Sequence, residues 1–250
     1  MRDVDEESNT AVCISGVPKY WESGLTSIKD FFPNADIFMH IWDVEELDVS
    51  NSVNDDRKRF YNGKHYNIYN VVEAFNPTCV TVEKFSLYGH KLQQQFQSYV
   101  ERNLNGSSGM ASISFMSARY GMSEAFKLKN NYTKRTDKKY DYCVRMRFDS
   151  RIVKLSVDAL DKDKVNIPDK RDWSPVGIND QFAWGPDRLM RKFELCFDNI
   201  DAIVEATEAY YPEWNWAEFL KRINVNPDQL HRTTEAKVLI NDETLTSPEE

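Results

Sequence analysis

The sequence predicts an α/β layered fold: a mainly parallel sheet flanked by helices, in a single domain. Three observations carry that expectation. Apolar runs of strand length alternate with amphipathic stripes of helix length, the order that builds parallel sheets through helical crossovers. No internal repeat and no linker-like stretch separates two halves. The 250 residues, 41% hydrophobic and 13% aromatic, are enough to form one large core.

Residues 1–10 are polar and read as a flexible arm, residues 11–240 as the domain, and residues 241–250 as a flexible acidic tail. Ala11 to Ile14 is a short apolar run stopped by Ser15-Gly16-Val17-Pro18, a buried strand ending in a tight loop. Trp21, Leu25, Ile28 and Phe32 form a helical stripe closed by Pro33. Ala35 to Trp42 is a second strand with Asp43 at its end. Residues 45–64, rich in Asp and Asn, read as a long surface loop, and Asn67 to Phe75 as a short helix. Cys79 to Phe85 is a third strand. A helix on Leu92, Phe96, Tyr99 and Val100 runs into a Gly/Ser loop over 103–109. That loop lacks the Gly-Lys-Ser/Thr ending of a phosphate loop. Another helix follows on Phe115, Ala118, Met122 and Phe126, then a lysine-rich loop over 134–139.

Tyr142 to Asp149 alternates Val144, Met146 and Phe148 with Arg145, Arg147 and Asp149. Period two makes this a strand that delivers two cations and a carboxylate to one face. After residue 155 regularity fades until Gly177. Pro186 opens a helix striped by Leu189, Phe193, Cys196 and Ile200. Trp216, Phe219, Leu220 and Ile223 mark a last helix, and Lys237 to Ile240 a final strand.

A net charge of −8 argues against a general nucleic-acid coat. Residues 127–154 nevertheless carry ten Lys or Arg against three Asp. One basic island on an acidic chain suits a small polyanion better than a polymer. Cys13, Cys79, Cys143 and Cys196 are widely spaced, without the pairing of a zinc site or disulfide scaffold. There is no signal-peptide pattern, and no apolar stretch approaches the ~20 residues of a membrane span. The expected location is the cytoplasm.

Guanidinium forks match phosphate oxygens, and a carboxylate can hold the divalent cation that bridges them. In open parallel sheets, ligands lie beyond the carboxyl ends of strands. Ser15 and Gly16, then His40 and Asp43, then Asp149 stand at three such ends. The plainer readings are a turn glycine, a core histidine, a capping aspartate and an ordinary Arg-Asp pair. Asn179-Asp180-Gln181 sets three hydrogen-bonding side chains beside an apolar run. This suits contact with a sugar hydroxyl or a base acting on one, and equally a polar turn.

Four blocks in order resemble glycosyltransferase-like proteins of the GT-A type, found among bacterial polysaccharide-synthesis and viral genes. They are Val12-Cys13-Ile14-Ser15-Gly16, Ala35 to Asp43, Tyr140 to Asp149, and Asn179-Asp180-Gln181-Phe182-Ala183-Trp184-Gly185. The resemblance implies a Rossmann-like GT-A fold and a hexosyltransferase-like enzyme using a nucleotide-sugar donor. It implies donor contacts from Ser15, Gly16, Lys19, His40, Asp43, Arg145, Arg147 and Asp149. Asp180 becomes the catalytic base, and Asn179, Gln181 and Trp184 acceptor contacts. Mn2+ or Mg2+ is expected on Asp149, the place of the last aspartate of the family's Asp-x-Asp metal motif, with His231 as a possible helper. The chain departs from the family at Arg147, where that motif has its first aspartate. It departs again at Val17-Pro18-Lys19, in place of a Pro-Arg pair. The expected acceptor is a glycan or other small molecule. A nucleic-acid acceptor is the lesser alternative, open only if the basic island forms one face. The competing reading is a catalytically inactive nucleotide-sugar- or glycan-binding module of the same fold.

Overall fold

The computed structural model describes residues 9–44, 66–101, 112–169, 179–207 and 212–240. The arm before residue 9, the tail beyond 240, the surface loop over 45–64 and the Gly/Ser loop lie outside the described residues. In chain order the elements are β1 (Thr10–Gly16), α1 (Trp21–Phe31), β2 (Asp36–Asp43), α2 (Ile68–Phe75) and β3 (Cys79–Lys84). Then come α3 (Phe85–Glu101), α4 (Ser112–Thr136), β4 (Tyr142–Arg147), β5 (Ser150–Leu155) and β6 (Val165–Pro168). The chain continues through β7 (Ala183–Pro186), α5 (Asp187–Met190), α6 (Ile200–Thr207), α7 (Pro212–Arg222), β8 (Leu230–Thr233) and β9 (Ala236–Ile240).

Seven strands form one sheet in the order β3-β2-β1-β4-β7-β6-β8, and β5 pairs with β9 in a small second sheet. Strands β3, β2, β1 and β4 run parallel, as do β6 and β8, while β7 is antiparallel to both neighbours. The fold class is therefore the expected mainly parallel α/β layer.

Alternation along each strand divides the core. Ala11, Cys13, Phe38, Cys143 and Ala183 pack with Met122 and Phe126 of α4. Val12, Ile14, Met39, Val144, Met146 and Trp184 pack on the other face with Ile28 of α1 and Val71 of α2. Asn67 caps α2 through bonds from the Tyr69 and Asn70 N–H groups, and Asn76 ends it in the left-handed region.

The stretch read as irregular holds β6, and β5, β7 and β8 also went unread. β6 and β8 have four residues each, too few to show a period, and β5 exposes half of its residues. The helix expected from Pro186 to Ile200 is broken into α5, a 3-10 turn over Arg191–Leu195, and α6. Two side chains of α4 explain the break. Asn130 donates to the Arg191 carbonyl, while Ser123 donates to the Glu194 carbonyl and accepts from the Phe197 N–H. Backbone groups that a continuous helix would use are thus already bonded. The stripe residues Leu189, Phe193, Cys196 and Ile200 are still all buried.

Among the described residues, no helix is long and apolar enough to cross a membrane. Several cations of the basic island are paired with carboxylates. Lys129 is buried against Asp187, Lys127 meets Glu124 and Asp198, Lys138 meets Asp36, and Lys154 meets Glu235.

Candidate functional site

Because β1 to β4 run parallel, their carboxyl ends share one edge. Register puts Ser15 directly between His40 and Arg147. Gly16 follows with φ +124, a conformation that a side chain would strain. Lys19 in the next loop and Asp43, opposite Lys84, lie at the same edge. β7 runs the other way, and Ala183 pairs with Arg145. The three residues before Ala183 therefore project toward that edge too, which is how Asp180 reaches the arginines.

The arginine group is the centre of the site. Arg145 is 3% exposed, and its Nε and Nη1 meet no hydrogen-bond partner among the described residues. Burial pushes its proton affinity down to about 10, with Asp180 pulling the other way. Arg119, on α4, pairs with Asp180 at 3.2 Å, its side chain 2% exposed against 16% for Asp180. Both guanidiniums lie over the Trp216 ring, Arg119 at 4.9 Å and Arg145 at 5.9 Å from its centroid. Burial alone would raise the Asp180 carboxyl, but Arg119, Arg145 and Arg147 hold it below the usual carboxylate range. Asp180 is thus ionised at neutral pH.

Arg147 grips Asp149 with two bonds, Nε to Oδ1 at 2.9 Å and Nη2 to Oδ2 at 2.6 Å. This is the bidentate geometry of a strong ion pair. Asp149 is 4% exposed. The residues do not fit a divalent cation as expected, since both carboxylate oxygens already serve Arg147. His231 cannot complete such a site. It lies on β8, three strand spacings of about 4.8 Å from β4, and its Nδ1 is 2.8 Å from Asn166 Oδ1. Among the described residues, no group of three or more His, Cys, Asp or Glu could hold a metal ion.

Two further expectations need correction. Trp184 is 2% exposed, stacked on Tyr142 at 4.5 Å, and belongs to the core on the sheet face away from the arginines. It offers an acceptor at this site no surface. His40 is fully buried, with Nε2 2.8 Å from Glu83 Oε2 and its ring between Trp42 and Tyr120. Its side chain is enclosed by these partners and exposes no surface at the edge. Asn179 is 2% exposed and accepts the Gln181 N–H, closing a turn that aims Asp180. Gln181 Oε1 is buried without a partner among the described residues.

Arg119, Glu83 and Trp216 were not anticipated as site residues. One signal was present: Arg119 falls four residues after Phe115 and three before Met122, so it interrupts the core-facing stripe of a helix with a charge. Gly121 lets that helix press close. A Cβ there would meet His40 Nδ1 at 2.9 Å and the Ser15 Cβ at 3.5 Å.

Glu83 accepts from Tyr120 at 3.2 Å as well as bonding His40. The His40 bond, against the opposite pull of burial, holds its carboxyl below the usual range. A carboxyl lowered on folding adds stability that is present above its unfolded value, about 4.3, and is lost as pH falls through the folded one. Urea midpoints taken from pH 7 to pH 3 should therefore fall below about pH 4, and less steeply for Glu83→Gln. Parallel curves for the two proteins would refute this.

No family model and no curated protein matches the chain. Among solved structures it is similar to core-mannan synthase A from Aspergillus fumigatus in a Mn/GDP form. That likeness has a TM-score of 0.48 and 9% identity, covering 96% of this chain and 77% of the other. A similarity of that degree says nothing about the chemistry of this chain.

Proposed function

We propose that this chain is a GT-A-like glycosyltransferase that moves a hexosyl group from a nucleotide-sugar donor to a glycan or other small acceptor. One observation carries the reading. A buried arginine with two N–H donors unpartnered among the described residues stands beside an ionised aspartate at the carboxyl edge of a parallel sheet, where such sheets take their ligands. In this reading Arg145 and Arg119 face the diphosphate and stabilise the charge that grows on it as the sugar–phosphate bond breaks. In an inverting reaction, Asp180 accepts the proton of the acceptor hydroxyl as the new glycosidic bond forms. Its lowered proton affinity keeps it in the basic form, though as a weak base. Ser15 and Gly16 line the approach of the donor.

The test is Asp180→Asn. Donor binding, read by thermal shift, should persist. Release of nucleoside diphosphate from the donor should fall by roughly 10²–10⁴. Undiminished release, or lost donor binding, would remove Asp180 from this role. The inactive-module reading draws on the Arg147–Asp149 pair, which engages the carboxylate the family would use for metal. It would be favoured if nucleotide-sugars raise the melting temperature yet no diphosphate is ever released.

A further inference from the structure

We propose that diphosphate binding at this site is independent of metal, with Arg145 and Arg119 supplying the positive charge that a divalent cation would otherwise bring. The inference rests on the nucleotide-sugar reading above, and four observations support it.

The carboxylate at position 149 is engaged at both oxygens by Arg147. A cation there would have to displace the guanidinium or share those oxygens with it, and in either case sit close to a positive group, where like charges repel. Arg145 is 3% exposed and keeps two N–H donors without a partner among the described residues. A buried ion with unmet donors is costly to maintain, and oxygens of a diphosphate would meet them with charge-assisted bonds. Trp216 lies against Arg119 and Arg145 alike, which fixes the planes of both forks before a ligand arrives. Such preorganisation is what charge stabilisation in a water-poor site requires. Finally, Arg119, Arg145 and Arg147 face Asp149 and Asp180. Three guanidiniums against two carboxylates leave the group one positive charge in excess, with no ion added.

The experiment uses the full chain after EDTA treatment and gel filtration. GDP, UDP, ADP, CDP, dTDP and inorganic pyrophosphate are titrated calorimetrically, with EDTA present and then with millimolar Mn2+ or Mg2+. At least one nucleoside diphosphate should bind in EDTA, with a Kd within about threefold of its value in metal, since the arginine charge is built in. Binding seen only with metal, or tightened more than tenfold by it, would overturn metal independence and leave the nucleotide-sugar reading standing. Absence of nucleotide binding under both conditions would overturn both. Binding of pyrophosphate alone would overturn the nucleotide-sugar reading and the proposal with it.

Asp149→Asn adds a test of sign. If Asp149 only holds Arg147, removing its charge raises the positive excess, and diphosphate binding should tighten by a few-fold at low salt. If Asp149 is a metal ligand, the same change should weaken binding in Mn2+ by about tenfold or more, and the proposal falls. Should this variant melt abnormally, the EDTA comparison on the parent chain decides alone.

Discussion

Arg145→Met is expected to weaken nucleoside-diphosphate binding by roughly a hundredfold or more while leaving the fold intact. Two buried N–H donors without partners among the described residues would each make a charge-assisted bond to a diphosphate, worth about 1.5–3 kcal/mol. Losing two such bonds corresponds to that factor at least. The effect on stability should be small by comparison. Met is unbranched and fills the stem volume of the arginine, and a cation whose burial is costly disappears. Asp180 keeps its pair with Arg119. The melting temperature should therefore stay within the few degrees that about 1 kcal/mol moves a chain of this size. Calorimetric titration beside a thermal melt checks both halves. Unaltered affinity in a folded variant would mean that Arg145 faces no ligand.

Gly24→Ala should be among the most destabilising conservative changes in the molecule. Gly24 is buried within α1, and a Cβ there would lie 2.4 Å from the Phe148 carbonyl oxygen and 3.2 Å from its carbon. Those are backbone atoms and cannot rotate aside. Overpacking of this kind costs about 1–3 kcal/mol, and sometimes more. The gain in helix propensity, about 1 kcal/mol, offsets only part. A fall of several degrees in melting temperature is expected. Because Phe148 precedes Asp149, the turn carrying the Arg147–Asp149 pair should shift as well. Gly89→Ala is the control: the three atoms nearest its Cβ all belong to the Phe85 ring, the first at 2.5 Å, and a ring can turn. If both alanines melted alike, close contact at Gly24 would not be the cause.

Much of the fold was legible because burial imposes a period. The first four strands of the large sheet, α1 and α2 announce themselves through apolar spacing and appear within a residue or two of their expected places. In contrast, α3 begins at Phe85, well before its stripe, and α4 runs on to Thr136, into the stretch expected as a lysine-rich loop. What escaped were the strands with too little length or alternation, β5 to β8. Their pairing is set by neighbours distant in sequence: Asn166 lies opposite Trp184 on one side and His231 on the other. The site was legible in part. Arg145, Arg147 and Asp180 could be picked out because charged groups beside apolar strands must be held for a reason. Trp184 and His231 could not be placed, since neither the sheet face of a residue in a four-residue strand nor the order of strands is written in local spacing.

The sequence alone determined that this is an α/β layered chain and that Arg145 and Arg147 share one face of a strand, because a pleated backbone alternates its side chains whatever the surroundings. Asp149, expected on the same strand face, stands in the turn after β4. Only the tertiary structure decided which charges meet. Packing α4 on the sheet brought Arg119 to Asp180, and folding back β7 brought Asp180 to Arg145. The turn after β4 gave Asp149 to Arg147. Coulomb forces and hydrogen bonds act over a few ångströms in space, and distance along the chain does not report that separation.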